Sequence, residues 1–407
     1  MPDRVAFLWR DDLVAYRFAD SHPLNPIRLE ATLDLLRTSG LLGSLDIASF
    51  EPARDEDLAL VHDERYIRAV QRYSVRRPET LTAQERREAA NFGLGTVDNP
   101  LFFGMHEAAA MVVGGALRAA ELVMDGTVQH AVHLGGGLHH ALPERAAGFC
   151  IYNDPAAAIA YIRRRWGARV AYVDIDAHHG DGVQWIFYED PDVLTVSIHE
   201  SGYHLFPGTG HEHERGRGAA WGTAVNIPLS PGTDDDSWLA CFEAVVPAAL
   251  RAFRPDVLVT QHGCDAHRWD PLTHLAVSTR ALARAAAILH GLAHELCQGR
   301  WVVLGGGGYE LFRVVPRAWT QLWAEVACRP QPQAVPDRWI ERWSKASSVA
   351  LPRGLADDPA AFPAGPDQLA AARANEIRLQ RLMQDLALPV SRGQERDPNG
   401  GPAPARP

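Results

Sequence analysis

Cysteine is scarce in this sequence of 407 residues, and its placement excludes two classes of protein. The five cysteines are scattered, odd in number and form no Cys-x-x-Cys pair. Disulfide scaffolds and cysteine-ligated zinc sites need paired or regularly spaced thiols. The pattern therefore argues against both classes and indicates a reducing compartment.

The sequence also lacks a long apolar run, a secretory leader and an excess of positive charge. No stretch reaches the roughly 18 apolar residues that a membrane-spanning helix needs, and the first residues show no apolar core with a cleavage signature. The formal net charge is −10, whereas nucleic-acid binding requires a basic surface. We therefore expect a cytoplasmic protein that binds neither membranes nor nucleic acids.

One stretch, residues 173–182, concentrates ionisable side chains at the end of a predicted buried strand. It reads VDIDAHHGDG and contains three carboxylates and two imidazoles. In an extended strand Asp174, Asp176 and His178 point to the same face. Charges at the end of an apolar strand are costly unless something neutralises them, so the stretch predicts a metal site. The alternative is a helix N-terminus with capping carboxylates, but capping needs no pair of histidines.

Apolar strands alternate with helices along most of the chain, a pattern typical of a parallel sheet covered by helices on both faces. In such sheets ligands bind outside the carboxyl ends of the strands. Four predicted strands carry polar residues at that end: 131–134 with His139 and His140, 168–173 with Asp174 to Asp181, 256–262 with Asp265, and 301–304 with Tyr309. Their convergence predicts one functional site in an α/β domain.

Motif positions and composition set the predicted domain boundaries. Residues 1–390 are predicted to form one catalytic domain, with its core motifs in 5–320 and a C-terminal helical extension in 330–390. Residues 391–407 are polar and contain Gly and Pro, which predicts a disordered tail.

Three local predictions concern segments outside the strand–helix alternation. Residues 58–61 are a possible strand, and residues 76–104 are predicted to be mostly irregular because Gly and Pro recur in them. Trp339 and Trp343 lie in proline-rich chain and are expected to pack back on the body.

Three residues at the predicted site form a candidate metal-ligand set. Asp176, His178 and Asp265 offer two carboxylates and one imidazole, which suit Zn²⁺ or Fe²⁺. Three protein ligands leave coordination positions for a water and a substrate oxygen, as a catalytic metal requires.

The other residues at these strand ends suit acid/base and oxyanion chemistry. His139 and His140 are natural general acid/base groups beside a metal-bound water. Each imidazole needs an acceptor that fixes its tautomer, and Asp174 and Asp181 are candidates. Tyr309 follows four glycines and can donate its phenol proton to a developing oxyanion.

Seven segments resemble motifs of the zinc-dependent histone deacetylase family, in colinear order over about residues 5–320. They are HPLNPIR (22–28), LGGGLHHA (134–141), GFCIYND (148–154), VDIDAHHGDG (173–182), FPGTG (206–210), CDAH (264–267) and LGGGGYE (304–310). The segments 93–105 and 264–275 resemble the bacterial acetoin utilisation branch. The resemblance implies an arginase/deacetylase-like fold, a single domain with a central, mostly parallel sheet between helices.

The resemblance also implies a role for each matching residue. Zn²⁺ would be bound by Asp176, His178 and Asp265, and the catalytic groups would be His139, His140, Asp174, Asp181 and Tyr309. His140 would be the general base. Substrate binding would involve Asp98, Gly148, Phe149 and Phe206. Acetate would leave past Arg28, and a structural K⁺ would be held by Asp174, Asp176, His178 and Ser197.

The implied activity is hydrolysis of the acetamide of N-ε-acetyl-lysine in proteins, with a metal-bound water as nucleophile and acetate and free lysine as products. Acetylated proteins, such as an acyl-CoA synthetase, would be the partners, and the oligomeric state stays open. The alternatives are an acetylpolyamine amidohydrolase, an arginase-like binuclear manganese enzyme and a non-enzymatic acetyl-lysine binder. The arginase pattern Asp-x-His-x-Asp is not matched, because the carboxylate after His178 comes three positions later, at Asp181.

Overall fold

The computed structural model describes residues 3–386 and confirms the predicted parallel α/β architecture. Within these residues eight strands form one sheet in the order β2-β1-β3-β8-β7-β4-β5-β6, and neighbouring strands are parallel throughout. The strands are β1 (Val5–Leu8), β2 (Ile47–Ala48), β3 (His130–His133), β4 (Val170–Asp174), β5 (Val193–Glu200), β6 (Ala224–Leu229), β7 (Val257–Gln261) and β8 (Trp301–Leu304).

Helices flank this sheet and occupy most of the connections between strands. In the described chain they are α1 (Ile27–Thr38), α2 (Asp55–Leu58), α3 (Glu64–Ser74), α4 (Ala83–Ala90), α5 (Met105–Met124), α6 (Asp154–Trp166), α7 (Asp181–Ile186), α8 (Asp235–Phe253), α9 (Thr279–Cys297), α10 (Val315–Val326), α11 (Asp337–Trp343) and α12 (Pro366–Leu386). No helix within residues 3–386 is long and apolar enough to cross a membrane.

The central strands are buried along their whole length, which explains their continuous apolar sequences. Every residue of β4, β5 and β7 is buried, as expected when helices cover both faces of a parallel sheet. Helix α5 approaches the sheet closely at its glycine pair. A Cβ on Gly114 would lie 2.0 Å from the carbonyl oxygen of Glu51, and a Cβ on Gly115 would lie 2.4 Å from the His133 ring. Only glycine permits this packing.

One local prediction was wrong, one mostly irregular segment contains a helix that was not predicted, and one strand was missed. Residues 58–61 do not form a strand: the acidic residues of α2 favour a helix N-terminus, and Ile47–Ala48 pairs with β1 instead. Segment 76–104 contains α4, whose N-terminus is capped by Thr82, which accepts from the backbone N–H of Glu85. Strand β6 was not predicted, because Asn226 and Pro228 interrupt its apolar pattern. Proline is tolerated there since β6 lies at the edge of the sheet.

The C-terminal extension packs on the body as predicted. The indole N–H groups of Trp339 and Trp343 donate to the carbonyl oxygen of Ala31 (2.9 Å) and to Oδ2 of Asp34 (2.8 Å), both on α1. The two tryptophans lie on a regular helix, α11, rather than in irregular chain. The predicted tail at 391–407 lies outside the described residues.

Candidate metal-dependent active site

The four strands with polar residues after their carboxyl ends lie side by side in the centre of the sheet, in the order β3-β8-β7-β4. Because they are parallel, the loops that follow them meet at one edge. The structure therefore brings together the residues that the sequence singled out on four separate strands.

Asp176, His178 and Asp265 form a buried group of three ligating side chains. Nδ1 of His178 lies 2.9 Å from Oδ2 of Asp265 and 3.2 Å from Oδ1 of Asp176. The remaining oxygens are fixed by the backbone, since the N–H of Gly307 donates to Oδ2 of Asp176 (2.6 Å) and the N–H of Ala177 donates to Oδ1 of Asp265 (2.8 Å). Three ligand atoms thus converge on one point.

The surroundings of this group fit a bound cation. Burial and the neighbouring carboxylate of Asp176 raise the pKa of Asp265 to about 6, and the His178 imidazole opposes this rise. A Cβ on Gly307 would lie 2.1 Å from Oδ2 of Asp265, and a Cβ on Gly263 would lie 2.1 Å from Oδ2 of Asp176. The two glycines therefore make room for both carboxylates, which could hold a divalent metal.

The paired histidines each bind one carboxylate. Nδ1 of His139 lies 2.7 Å from Oδ2 of Asp174, and Nδ1 of His140 lies 2.7 Å from Oδ1 of Asp181. The two Nε2 atoms are 2.9 Å apart. Since each Nδ1–H donates to its carboxylate, one Nε2 must carry a proton and the other must accept it. The pair therefore offers one acidic and one basic nitrogen side by side.

The electrostatic surroundings of the two imidazoles differ. Burial alone lowers the pKa of His139, but the carboxylates of Asp174 and Asp176 raise it to about 9. Burial and the neighbouring positive charge of His139 lower the pKa of His140 to about 4. His139 is thus the charged member of the pair and His140 the neutral one, which suits His140 to accept a proton.

Tyr309 reaches the same site from the loop after β8. Its ring centroid lies 6.4 Å from that of His178 and 5.7 Å from that of Phe149. Burial and the nearby carboxylates of Asp265 and Asp176 raise its pKa, so the phenol stays protonated and can donate a hydrogen bond.

Two phenylalanines flank the approach to these groups. The Phe206 ring lies 5.0 Å from the His140 ring and is 45% exposed, whereas Phe149 is partly buried against Tyr309. A Cβ on Gly148 would lie 2.5 Å from Cδ2 of His140 and 2.8 Å from Cε1 of Phe206. The lack of a side chain at Gly148 therefore leaves room for the His140 and Phe206 rings.

Arg28 and Asp98 differ in burial. Arg28 is buried, its Nη1 donates to the carbonyl oxygen of Gly308 (3.0 Å) and its guanidinium lies over the Trp319 ring. Arg28 therefore contacts Gly308, the residue immediately before Tyr309. Asp98 is exposed, and its carbonyl oxygen lies 3.2 Å from Nε2 of His22, whose ring centroid is 4.6 Å from that of Phe149.

Ser197 lies beside Asp174 in the predicted cation-binding set. The two residues are register partners on β5 and β4. Oγ of Ser197 lies 2.8 Å from Nδ1 of His199. The four residues predicted to hold K⁺ are thus contiguous across these two strands and the stretch that follows β4.

Sequence reasoning missed residues that brace the His139–Asp174 pair. The hydroxyl of Tyr172 donates to Oδ2 of Asp174 (2.8 Å). In the Gln261 amide, Oε1 lies 2.8 Å from this hydroxyl and Nε2 lies 2.8 Å from Nδ1 of His139. Tyr172 precedes Asp174 by two positions, so the period of the strand could have indicated that it shares the same face. Gln261 ends β7, and only the sheet order brings it close.

Two residues at the start of α6 hold the loop with the paired histidines. The carboxylate of Asp154 accepts from the backbone N–H of Gly137 (2.9 Å), and the amide of Asn153 donates to the carbonyl oxygens of His139 (3.0 Å) and Ala141 (2.9 Å). Their sequence position indicates only a helix cap, and Asn153 does accept from the N–H of Ala156. Their contacts with the loop were not apparent from the sequence and are seen only in the structure.

Asp270 is a fifth residue that the sequence did not single out. It is buried, and Oδ2 accepts from the backbone N–H of Tyr309 (2.7 Å). Burial and the charge of Asp265 raise its pKa to about 8. The Asp-Pro dipeptide five positions after Asp265 was the available signal, since such dipeptides favour turns.

Comparisons with known proteins agree with this geometry. Residues 22–326 match the histone deacetylase domain. The chain is 46% identical to the acetoin utilization protein AcuC of Bacillus subtilis (strain 168), over 89% of this chain and 92% of that protein. It is 41% identical to AcuC of Staphylococcus xylosus, over 88% and 92%. The crystal structure of a histone deacetylase homologue from Aquifex aeolicus superposes with a TM-score of 0.83 at 29% identity, over 93% of this chain and 100% of that one.

Fold and site together define a hydrolase with an arginase/deacetylase-like parallel sheet and a candidate metal centre at the carboxyl ends of its strands. The chain belongs to the histone deacetylase family. Within the family it is similar to the AcuC acetoin utilization proteins, as the sequence motifs predicted. A structure of a homologue complexed with SAHA superposes equally well, with a TM-score of 0.83.

Proposed function

We propose that this protein removes the acetyl group from N-ε-acetyl-lysine in proteins by metal-dependent hydrolysis. One observation carries the proposal: a buried Asp-His-Asp triad lies beside two carboxylate-bound histidines and a protonated tyrosine, behind an approach flanked by two aromatic rings. Such an approach suits a long apolar stem that ends in an amide.

The metal would be held by Asp176, His178 and Asp265. A Zn²⁺ or Fe²⁺ ion bound there would polarise the acetamide carbonyl and lower the pKa of a water molecule. The three side chains already point at one another, and two of their oxygens are fixed by backbone N–H groups. Such fixed carboxylates would change little when the metal binds.

The side chains around the metal would move the protons. His140 is neutral and lies next to charged His139, so His140 accepts the proton of the attacking water and later returns it to the lysine amine. Asp181 and Asp174 hold the two rings through their Nδ1 atoms. Tyr309 donates to the carbonyl oxygen as negative charge develops on it.

The residues around the approach would bind the substrate and release the product. Phe149 and Phe206 flank the lysine stem, Gly148 keeps the passage open, and Asp98 at the rim would bind the substrate backbone. Arg28 is buried behind Gly308 and would attract acetate as it leaves.

A structural K⁺ is proposed between β4 and β5. Its ligands would be the carboxylate of Asp174, the carbonyl oxygens of Asp176 and His178, and Ser197. The ion would stiffen the strand end from which Asp174 binds His139, which links it to the paired histidines rather than to the substrate.

Two contacts argue against a binuclear, arginase-like centre. Asp181, the carboxylate that could enlarge the triad, binds His140. His267, two positions after Asp265, is buried against Asp357, with Nε2 2.8 Å from Oδ2. Neither side chain is free to share a second metal with Asp176.

A substrate panel tests the proposal. Zinc- and iron-reconstituted enzyme is assayed on acetyl-lysine peptides, on acetylputrescine and acetylspermidine, and on an acetylated acyl-CoA synthetase as a candidate cytoplasmic partner. We expect kcat/KM to be highest on the peptide or protein substrates. Higher kcat/KM on the polyamines would establish the acetylpolyamine amidohydrolase alternative. Binding of acetyl-lysine without turnover by any reconstituted form would contradict both.

A further inference from the structure

A second group of ligating side chains lies at the amino ends of the strands, whereas the active site lies at their carboxyl ends. His130 is the first residue of β3, whereas His139 follows the other end of that strand. Around His130 gather His290 and His294 of α9 and Asp3, which precedes β1. Among the described residues this group and the active-site triad are the two candidate metal-binding clusters.

The spacing of the four ligand atoms fits a tetrahedral metal. Oδ2 of Asp3 lies 3.6 Å from Nε2 of His130, 3.9 Å from Nε2 of His290 and 3.3 Å from Nε2 of His294. The Nε2 atoms of His290 and His294 are 3.2 Å apart. Ligands about 2.0–2.1 Å from a tetrahedral Zn²⁺ are separated by roughly 3.3 Å. The observed separations differ from this value by no more than about 0.6 Å.

The centres of the three imidazole rings form a nearly equilateral triangle. The ring centroids are 4.8 Å apart for His130 and His290, 5.1 Å for His130 and His294, and 5.0 Å for His290 and His294. His290 and His294 are one helical turn apart, a spacing that places both rings on one face of α9. The arrangement is that of a three-histidine metal site.

His130 brings a buried imidazole without a hydrogen-bond partner to the cluster. The residue is completely buried, and neither of its ring nitrogens has a hydrogen-bond partner within residues 3–386. A buried imidazole without partners costs free energy, because both of its polar atoms lose their hydrogen bonds to water.

Glu325 supplies the outer contact that metal-bound histidines usually have. Its Oε1 lies 2.9 Å from Nδ1 of His290. The carboxylate fixes the tautomer in which Nδ1 is protonated and Nε2 faces the cluster, and it makes the ring a better metal ligand. His290 thus forms a carboxylate–histidine pair already oriented toward the other three residues.

We propose that Asp3, His130, His290 and His294 form a second, structural metal site for Zn²⁺ or a similar borderline cation. Three imidazoles and one carboxylate close a tetrahedron and leave no position for substrate, which is the signature of a structural site. The site joins the segment before β1 to the start of β3 and to α9. It is independent of the proposed deacetylase activity, because it lies at the opposite ends of the strands.

The test is a zinc count on full-length protein. Wild-type enzyme and the His294→Ala variant are incubated with excess Zn²⁺, dialysed and analysed for metal per chain. His294 is 42% exposed, so its replacement should not prevent folding. We expect two zinc ions in the wild type and one in His294→Ala, with turnover of an acetyl-lysine peptide within about twofold. Asp3→Asn repeats the measurement with a change outside the helix, and we expect it also to bind one.

Two further variants sharpen the test. Glu325→Gln should weaken binding of the second zinc about 10- to 100-fold, since it removes only the outer contact. His213→Ala, in an exposed loop beside His211, should keep two ions. One ion in the wild type, or two in both His294→Ala and Asp3→Asn, would overturn the proposal. Loss of one ion in His213→Ala would assign the second metal to the loop instead.

Discussion

At the scale of single residues, two carboxylates decide how the paired histidines differ. Asp174 and Asp181 each accept a hydrogen bond from one Nδ1–H, so the two Nε2 atoms have to share one proton between them. His139, whose pKa is raised by Asp174 and Asp176, carries the charge, and His140 stays neutral. Two chemically identical side chains thereby differ in charge because of their surroundings.

Tyr309→Phe should separate catalysis from metal binding. The phenol is the proposed donor to the developing oxyanion, and loss of one such donor typically lowers kcat by about 10²–10³. We expect a decrease on that scale with an unchanged metal content, measured by steady-state kinetics on an acetyl-lysine peptide. Turnover close to that of the wild type would refute the assigned role of this tyrosine.

Asp357→Asn should destabilise the protein through a buried ion pair. Asp357 binds Arg317, and both side chains are almost fully buried. Burial alone would raise the pKa of Asp357, but His267, Arg317 and the backbone N–H of Thr279 lower it from 3.8 to about 2. Removing one partner of such a pair leaves a buried charge, and we expect a loss of about 3 kcal/mol in unfolding free energy at pH 7.

The same carboxylate gives a pH dependence with a defined sign. Its folded pKa lies below the unfolded value, so it stabilises the protein above about pH 4, and this contribution is lost as the pH falls through about 2. The difference between wild type and Asp357→Asn in urea denaturation should therefore shrink between pH 4 and pH 2. Asp358→Asn, at the exposed neighbouring position, is the control. A difference independent of pH would contradict the ion pair.

At the scale of elements, the site depends on loops that only glycine can form. The wall of the approach brings residues of separate loops into contact, and Gly148 at φ +48° lies between His140 and Phe206. The loops gain their rigidity from neighbouring elements, since Asn153 and Asp154 of the α6 N-terminus hold the histidine loop through backbone groups. Helix start and catalytic loop thus behave as one unit.

Gly148→Ala should impair activity without a matching loss of stability. The added methyl group would meet the His140 and Phe206 rings at 2.5 and 2.8 Å, and we expect kcat/KM to fall by at least about tenfold, because a small misplacement at a reacting group is costly. Gly167→Ala is the matched control. It has a similar positive φ of +61°, but nothing lies within 4 Å of its added Cβ.

Both variants bear the same backbone strain of about 1–2 kcal/mol. Gly148→Ala must also displace the His140 and Phe206 rings, so its melting temperature should be somewhat below that of Gly167→Ala, and only Gly148→Ala should lose activity. Equal kinetic parameters for the two variants would show that the contact with His140 and Phe206 has no functional consequence.

At the scale of the whole molecule, the two ends of the sheet carry different kinds of polar cluster. The carboxyl ends hold the triad and the acid/base pair, which fit a catalytic metal with open positions. The amino ends hold Asp3, His130, His290 and His294, which fit a metal ion whose coordination positions are all filled by protein side chains. Metal removal should therefore have two separable consequences, one on turnover and one on stability.

Chelation should abolish activity and lower the melting temperature. We expect one equivalent of Zn²⁺ or Fe²⁺ to restore full turnover in chelator-treated His294→Ala, which keeps the active-site ligands, and no metal to restore it in Asp265→Asn. Activity assays and thermal unfolding measured during the same metal titration provide the check. Full activity with metal reduced below about one tenth of an equivalent would exclude metal-dependent hydrolysis.

The sequence by itself determined the parallel α/β fold and the strand ends at which the site lies. Both follow from local rules: apolar runs form buried strands, and parallel strands end at one edge. Residues 58–61 and strand β6 show where local patterns fail, because a short apolar run does not distinguish a helical turn from a strand, and an edge strand tolerates polar residues and proline.

Only the tertiary structure decided which distant side chains meet. Gln261 reaches His139 because β7 and β4 are neighbours in the sheet, and Asp357 reaches Arg317 and His267 because the C-terminal extension folds back. The cluster around His130 joins Asp3, near the start of the chain, to His130 and to two histidines of α9, and only these two share a regular spacing. Spatial coincidence of this kind depends on sheet order and helix docking, which a local pattern does not encode.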